Sequence, residues 1–265
     1  MEYLVKEEEI FLDILSRLRL VDIDQIYFHE SVEPRRLQRT CQAIEKEGVI
    51  RHPVIATALS PDRYLILDGA HRTHSLQNLG CNKIPIQLVD ASEIKVEAWE
   101  HLVPEGIWLD QLRDNTIFQW TNTIRSEFHV AEMIYTDQTI FWGYPNPDVG
   151  ESCNRLKAWH YLVELYTRNQ SVIRLPQGRF SFPESNHVLL RFPTLTLEEI
   201  KEIVLAEQLV PAGVTRCIVQ GRLLNLNIPL FLLNSTNKTN EWVQFCEQKV
   251  DKLRLYTESI YLCEV

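Results

Sequence analysis

One stretch constrains the fold more than any other. Between Leu20 and Asp90 the hydrophobic pattern changes period in a fixed order. Val21 to Phe28 reads as a strand, and Arg35 to Glu47 repeats apolar residues at helical spacing and stops at Gly48. Pro53 to Leu59 and Tyr64 to Leu67 are short apolar runs. A helix opens at Asp68-Gly69-Ala70-His71-Arg72 and ends at Gly80, and Lys83 to Val89 is again strand-like. Strand, helix, strand, strand, helix, strand makes a compact α/β unit. The chain has only nine glycines among 265 residues. Gly48, Gly69 and Gly80 punctuate this unit, where backbone geometry is what the position requires.

The flanks are less orderly. Residues 2 to 19 predict an amphipathic helix with Leu4, Phe11, Leu12, Leu15 and Leu18 on one apolar face, packed on the body or on a partner subunit. Beyond residue 92 the pattern predicts helices at 107–113, 152–166, 196–208 and 240–253. Strands are expected near 128–134, 171–175, 188–192, 216–219, 223–227 and 256–263. The expected division is an N-terminal helix (1–19), an α/β domain (20–92) and a larger α+β domain (93–265).

Composition excludes several classes. Hydrophobic residues at 45% and charged residues at 24% are the balance of a globular chain, not of a disordered or fibrous one. No apolar run reaches the roughly 18 residues that a membrane helix needs. MEYLVKEEEIFLDIL is acidic where a secretion signal would be basic, which predicts a cytoplasmic protein. The six cysteines are scattered without a CxxC pair, so reduced thiols are expected. With 27 Lys and Arg against 36 Asp and Glu, the net charge of −9 disfavours a nucleic-acid partner without excluding one.

Three constellations have the chemistry for a site. Asp68-Gly69-Ala70-His71-Arg72 lies at a strand-to-helix junction, where first-turn N–H groups attract an anion and Arg72 adds a fork of donors suited to phosphate. The plainer alternative is that Asp68 caps the helix while His71 and Arg72 are solvated. Glu30 follows the first strand and would serve as a general base if folding brought it to the cradle. Pro211 to Cys217 is a turn that delivers Thr215 and Arg216 to the start of a strand, a pair able to hold a small carboxylate. P-loop, GxGxxG, GxSxG and HExxH patterns are absent. His71 and His74, three residues apart, are weak grounds for a metal.

The segment from Ile26 to Asp90, IYFHESVEPRRLQRTCQAIEKEGVIRHPVIA through RYLILDGAHRTHSLQNLGCNKIPIQLVD, resembles the ParB/sulfiredoxin superfamily. Within it the chain looks most like the free L-serine kinases, and most of all their staphyloferrin B siderophore branch. HLVPEGIW, LVPAGVTRCIVQGRLLNLNIPLFLL and LRLYTESIYLCEV extend that likeness over nearly the whole chain. Ala70 stands where sulfiredoxins carry the cysteine of GCHR, which removes their thiol nucleophile. ParB proteins carry GERR and a downstream helix-turn-helix region, and archaeal-type serine kinases carry DGHHR.

The resemblance implies a ParB/sulfiredoxin-like α/β domain beside an α+β domain, with the active-site cleft between them. It implies phosphoryl transfer to the hydroxyl of free L-serine, giving O-phospho-L-serine for siderophore biosynthesis. ATP ahead of ADP is the expected donor, with Mg2+ as cofactor and no direct protein ligand assigned to it. By position Glu30 and Asp68 are catalytic, and Gly69, Ala70, His71 and Arg72 bind the nucleotide phosphates. Thr215, Arg216 and Trp99 bind serine, with Trp108 the alternative aromatic. A homodimer is an open expectation. The rival reading is a ParB-like, nucleotide-dependent DNA-binding regulator.

Overall fold

The computed structural model describes residues 14–125, 128–146, 155–179, 182–234 and 239–256. Among the described residues, helical positions 14–16 lead into β1 (Leu18–Asp22), a single 3-10 turn (Ile23–Gln25) and β2 (Ile26–Phe28). The run expected as one strand is broken where the Gln25 side chain accepts the Asp22 N–H at 2.9 Å and closes a capping box. Then come α1 (Pro34–Glu47), β3 (Val49–Ile50), β4 (Val54–Ser60), β5 (Arg63–Asp68), α2 (Ala70–Asn78) and β6 (Lys83–Leu88). Pro34 opens α1 where its missing N–H costs nothing. Gly48 ends it in the left-handed region (φ 67°), its N–H donating to the Ile44 carbonyl.

These strands form a five-stranded sheet in the order β1-β6-β4-β5-β2. β2 with β5 and β4 with β6 are parallel, and the remaining pairs are antiparallel. The α/β unit expected from the sequence is present. Ile44, Ile50, Val54, Ile66, Leu76, Ile84 and Ile86 form its apolar centre.

The chain continues through β7 (Ile94–Pro104), α3 (Ile107–Arg113), β8 (Phe118–Thr121), β9 (Ala131–Ile134) and β10 (Ile140–Pro145). After these come α4 (Arg155–Thr167), β11 (Ile173–Pro176), β12 (His187–Arg191), α5 (Leu197–Leu205) and β13 (Thr215–Val219). A second sheet runs β11-β7-β12-β9-β10-β8, with β13 paired to β7. Its core holds Trp159, Leu162 and Tyr166 of α4. Buried His101 donates through Nε2 to the Gly213 carbonyl at 2.6 Å and accepts from the Tyr166 hydroxyl at 2.5 Å. α5 begins at the expected Thr196 cap, whose hydroxyl accepts the Glu199 N–H.

After β13 the chain adds β14 (Ile228–Pro229), paired to β3, and α6 (Thr239–Val250). Contacts gather Val219 onward with the residues up to Lys95 into one compact unit, and Val96–Ile218 into another. The division therefore differs from the sequence reading, which kept everything after residue 92 together. Leu223, Leu226, Ile228 and Leu233 are buried in the core of the first unit, which is why this last segment joins it.

Several expectations need revision or fall outside the described residues, 152–154 of the helix expected over 152–166 among the latter. Leu18 and Arg19 extend no helix: they pair with Gln87 and Ile86 in the first sheet. Residues 2–13 of the expected N-terminal helix lie outside the described residues, as does 257–263 of the last expected strand. Residues 223–227 form no strand, because Asn225 and Asn227 take positive φ (56° and 52°) and turn the backbone out of an extended path. Strand β7, at 11 residues the longest, was not anticipated. Its burial does not alternate, so it lacks the period-2 signature.

Candidate active site

The site of the first unit follows from one strand register. β2 and β5 are parallel with Phe28 opposite Ile66. Glu30 follows the end of β2 by two residues and Asp68 closes β5, so both lie at the carboxyl edge of two parallel strands. Ligands of open α/β sheets gather at that edge. His29, buried, fastens the β2 end by donating Nδ1–H to the Ile66 carbonyl at 2.7 Å. Glu30, Asp68, Gly69, Ala70, His71 and Arg72 all line one pocket, together with Arg36, Arg51 and Arg222. The cavity is thus lined by four arginines and three carboxylates, with Arg51 paired to Glu47.

The DGAHR motif works differently from a plain helix cap. Gly69 is the N-cap of α2 at φ 105°, and no side chain caps it. A Cβ at Gly69 would sit 2.9 Å from Arg72 Nη2, so glycine is needed both for the backbone angle and for the guanidinium above it. The helix ladder starts with the Thr73 N–H on the Gly69 carbonyl, so the first-turn N–H groups before it point out of the helix. Asp68 faces two guanidinium groups: Arg222 donates to its Oδ2, and Arg72 Nη2 lies 3.4 Å from the same oxygen.

Arg72 is partly committed to the fold. Its Nη1 donates to the carbonyls of His52 (3.0 Å) and Pro53 (2.6 Å). His71 Nε2 accepts the Glu33 N–H at 3.0 Å, which fixes the neutral tautomer and ties α2 to the loop carrying Glu30. His71 Nε2 is therefore engaged as an acceptor within the fold. His74 stacks on Phe28 with centroids 4.1 Å apart, and burial pushes its pKa down. Both histidines have structural partners. Among the described residues, no group of three or more His, Cys, Asp or Glu is placed to hold a metal ion. The described cysteines, Cys41, Cys81, Cys217 and Cys246, are free thiols. No helix among the described residues is long and apolar enough to cross a membrane.

The remaining candidates meet in the second unit. Pairing of β13 with β7 brings Thr215 and Arg216 beside Trp99. Arg216 lies over the Trp99 ring, 4.7 Å from its centroid, and its Nη1 donates to Glu97 Oε2 at 2.9 Å. The Trp99 backbone N–H donates to the Val214 carbonyl, which ties β7 to the residue just before Thr215. Trp108 is buried, donates to the Pro104 carbonyl and packs edge-on against Tyr166, the environment of a core residue. Trp99 is the better placed of the two aromatics to meet a ligand.

Residues 10–100 match the ParB N-terminal domain family. ATP-dependent L-serine kinase SbnI of Staphylococcus aureus is 36% identical over 256 residues, covering 95% of this chain and 98% of the relative. The chain belongs to the SbnI family of L-serine kinases. A solved structure in the family, SbnI with C-terminal truncation from Staphylococcus aureus, matches with a TM-score of 0.79 at 36% identity. The match covers 90% of this chain and 98% of that one. A free serine kinase in complex with AMP shares the fold, with a TM-score of 0.64 at 17% identity over 82% of this chain and 93% of its own. An ATP-dependent L-serine kinase from Staphylothermus marinus is 26% identical over 80% of this chain and 89% of its own.

Against the family frame, the residues missed by sequence reasoning are Arg222, Gln87 and Glu97. Arg222 reaches Asp68 across 154 positions. Its one local signal is its neighbour Gly221, one of the scarce glycines, at φ 64°. Gln87 and Glu97 are single polar residues among apolar neighbours, a pattern that marks a buried partner without naming it. The Asp68–Arg222 pair is about one-third exposed on either side. Such pairs typically contribute about 0.2–1 kcal/mol, so its consequence is where it puts charge and not stability.

Proposed function

We propose that this chain is an ATP-dependent free L-serine kinase that forms O-phospho-L-serine. The observation that carries the reading is that Glu30, Asp68 and four arginines line one pocket, in a chain related to SbnI over 95% of its length. That likeness runs well past residues 10–100, the part shared with the ParB family. This separates the kinase reading from a DNA-binding regulator. The product is a fitting precursor for siderophore biosynthesis, and a cytoplasmic setting supplies both substrates.

In this reading Glu30 takes the proton of the serine hydroxyl as Oγ attacks the γ-phosphorus. The Oγ–P bond forms, the bond from that phosphorus to the β-phosphate oxygen breaks, and ADP leaves. First-turn N–H groups of α2, with Gly69 allowing close approach at its N-cap, receive the phosphates, and Arg72 adds charge where its fork is not engaged by carbonyls. Asp68 holds the guanidinium groups in place. Thr215, Arg216 and Trp99 are assigned to serine, with the guanidinium set for its carboxylate. Two carboxylates beside a phosphate site suit Mg2+, which takes one or two carboxylates and completes its shell with phosphate oxygens and water. When bound, Mg2+ would neutralise phosphate charge, and Asp68 is the carboxylate that would hold it while Glu30 accepts the serine proton.

The test is incubation of the purified protein with L-serine, Mg2+ and ATP or ADP, with phosphoserine read by mass spectrometry. Phosphoserine is expected with ATP, and in lower yield with ADP. Its absence with both donors overturns the reading.

A further inference from the structure

A buried amide holds the segment that brings Arg222 to the pocket. Gln87 lies on β6 and is fully buried, yet it is not part of the apolar cluster that contains Ile84 and Ile86. The alternation of the strand turns it to the other face. There its Nε2–H donates to the Gly221 carbonyl at 2.8 Å, and its Oε1 accepts the Leu223 N–H at 2.8 Å. Those two backbone groups flank Arg222. The amide acts as a neighbouring strand would, taking the carbonyl of one residue and the N–H two positions on. Gly221 in the left-handed region turns the chain into this grip, and buried Leu223 anchors its far side.

The side chain between those two contacts is the one that donates to Asp68. Arg72, the cation named by the motif, gives Nη1 to two backbone carbonyls. A second guanidinium on the same carboxylate, in the same pocket, supplies cationic charge that the motif alone does not. We propose that Arg222 binds the phosphates of the nucleoside triphosphate, and that Gln87 is the positioning residue that holds it there. The identity of the ligand rests on the kinase reading; the two residues go beyond it.

Only Gln can play this part with both atoms of its amide. Gln87→Met keeps the length of the side chain and removes both hydrogen bonds, while Arg222→Ala removes the guanidinium. The experiment is ATP affinity by calorimetry with Mg2+ present, alongside serine KM in the phosphoserine assay. Loss of a charge-assisted contact predicts roughly tenfold to a hundredfold weaker ATP binding in Arg222→Ala, with serine KM unmoved. Arg222→Lys is expected to recover part of that loss. Gln87→Met is expected to show the same split to a smaller degree. The double variant should then bind ATP no more weakly than Arg222→Ala alone, because both changes act through one group.

Wild-type ATP affinity in Arg222→Ala overturns the proposal. Losses that add in the double variant overturn the role of Gln87, since a purely structural residue would weaken the protein independently of Arg222. Should Gln87→Met fail to fold, the Ala and Lys variants of Arg222 decide. A wild-type protein that binds ATP but makes no phosphoserine sinks the serine kinase reading, and the affinity comparison still stands. Phosphoserine formation with unchanged affinity in Arg222→Ala sinks this proposal alone.

Discussion

The two units of this protein each hold an arginine on a carboxylate, and they do so by different routes. In the first, Asp68 belongs to a contiguous motif, and a guanidinium is delivered to it from the far side of the sequence by a buried amide. In the second, Glu97 and Arg216 meet because β7 and β13 pair, and an indole is stacked beneath the cation. The first arrangement sits among several cations in a pocket suited to a multiply charged anion. The second offers Arg216, the Trp99 ring and one buried hydroxyl, Thr215, with the Arg174 guanidinium packed on Gly213 nearby. The contrast teaches that strand pairing brings carboxylate and guanidinium together in one unit, and a side-chain amide gripping the backbone does so in the other.

The largest expected effect would leave both binding arrangements intact and remove only the chemistry. Glu30→Gln keeps the shape of the side chain and loses the proton acceptor. Turnover in the phosphoserine assay should fall by about a hundredfold to ten-thousandfold while ATP and serine still bind. Near-normal turnover in the folded variant would remove Glu30 from the mechanism and leave Asp68 as the candidate base. Lost binding together with lost turnover would make Glu30 a ligand for serine or Mg2+.

Next in size is Arg72→Ala, which sharpens the contrast because Arg72 serves both fold and pocket. The motif alone predicts weaker nucleotide binding with an intact fold. The two carbonyl contacts predict more: a lower melting temperature, from a loss of about 1–3 kcal/mol, as well as weaker ATP binding. Thermal melting and calorimetry on the same sample separate the two. Unchanged melting would mean that the His52 and Pro53 carbonyls find other donors.

The smallest effect is expected in the second unit. Glu97→Gln keeps a hydrogen-bond acceptor for Arg216 and removes the charge that holds it, so serine KM should rise by roughly threefold to tenfold with ATP KM unchanged. A rise in ATP KM instead would break the division of labour between the two arrangements.

Much of the first site was legible because it is local. Gly48, Gly69 and Gly80 mark real turns at positive φ, and Asp68 to Arg72 lies at the strand-to-helix junction that its residues imply. Glu30 shares a pocket with that motif only because β2 and β5 run parallel, which no local pattern encodes. Arg222 was illegible for the same reason in stronger form. Its segment reads as a strand, and Asn225 and Asn227 at positive φ undo that reading. The pairing of Trp99 with Arg216 depended on β7, whose mixed burial hides its period. Resemblance to a family supplied the residues; strand pairing supplied the reason they meet.

The return of the chain after β13 carries a consequence for biosynthesis. Asp68 leaves the ribosome long before its partner, since Arg222 is 154 residues behind it. At a translation rate of about 5–20 residues per second, that delay is roughly 8–30 s. During that interval the nascent sheet has β6 but not the backbone that Gln87 grips, and Ile228 and Leu233 are not yet there to close its core. The arginine-lined pocket is therefore a late product of translation, completed only after the whole of the second unit has been made.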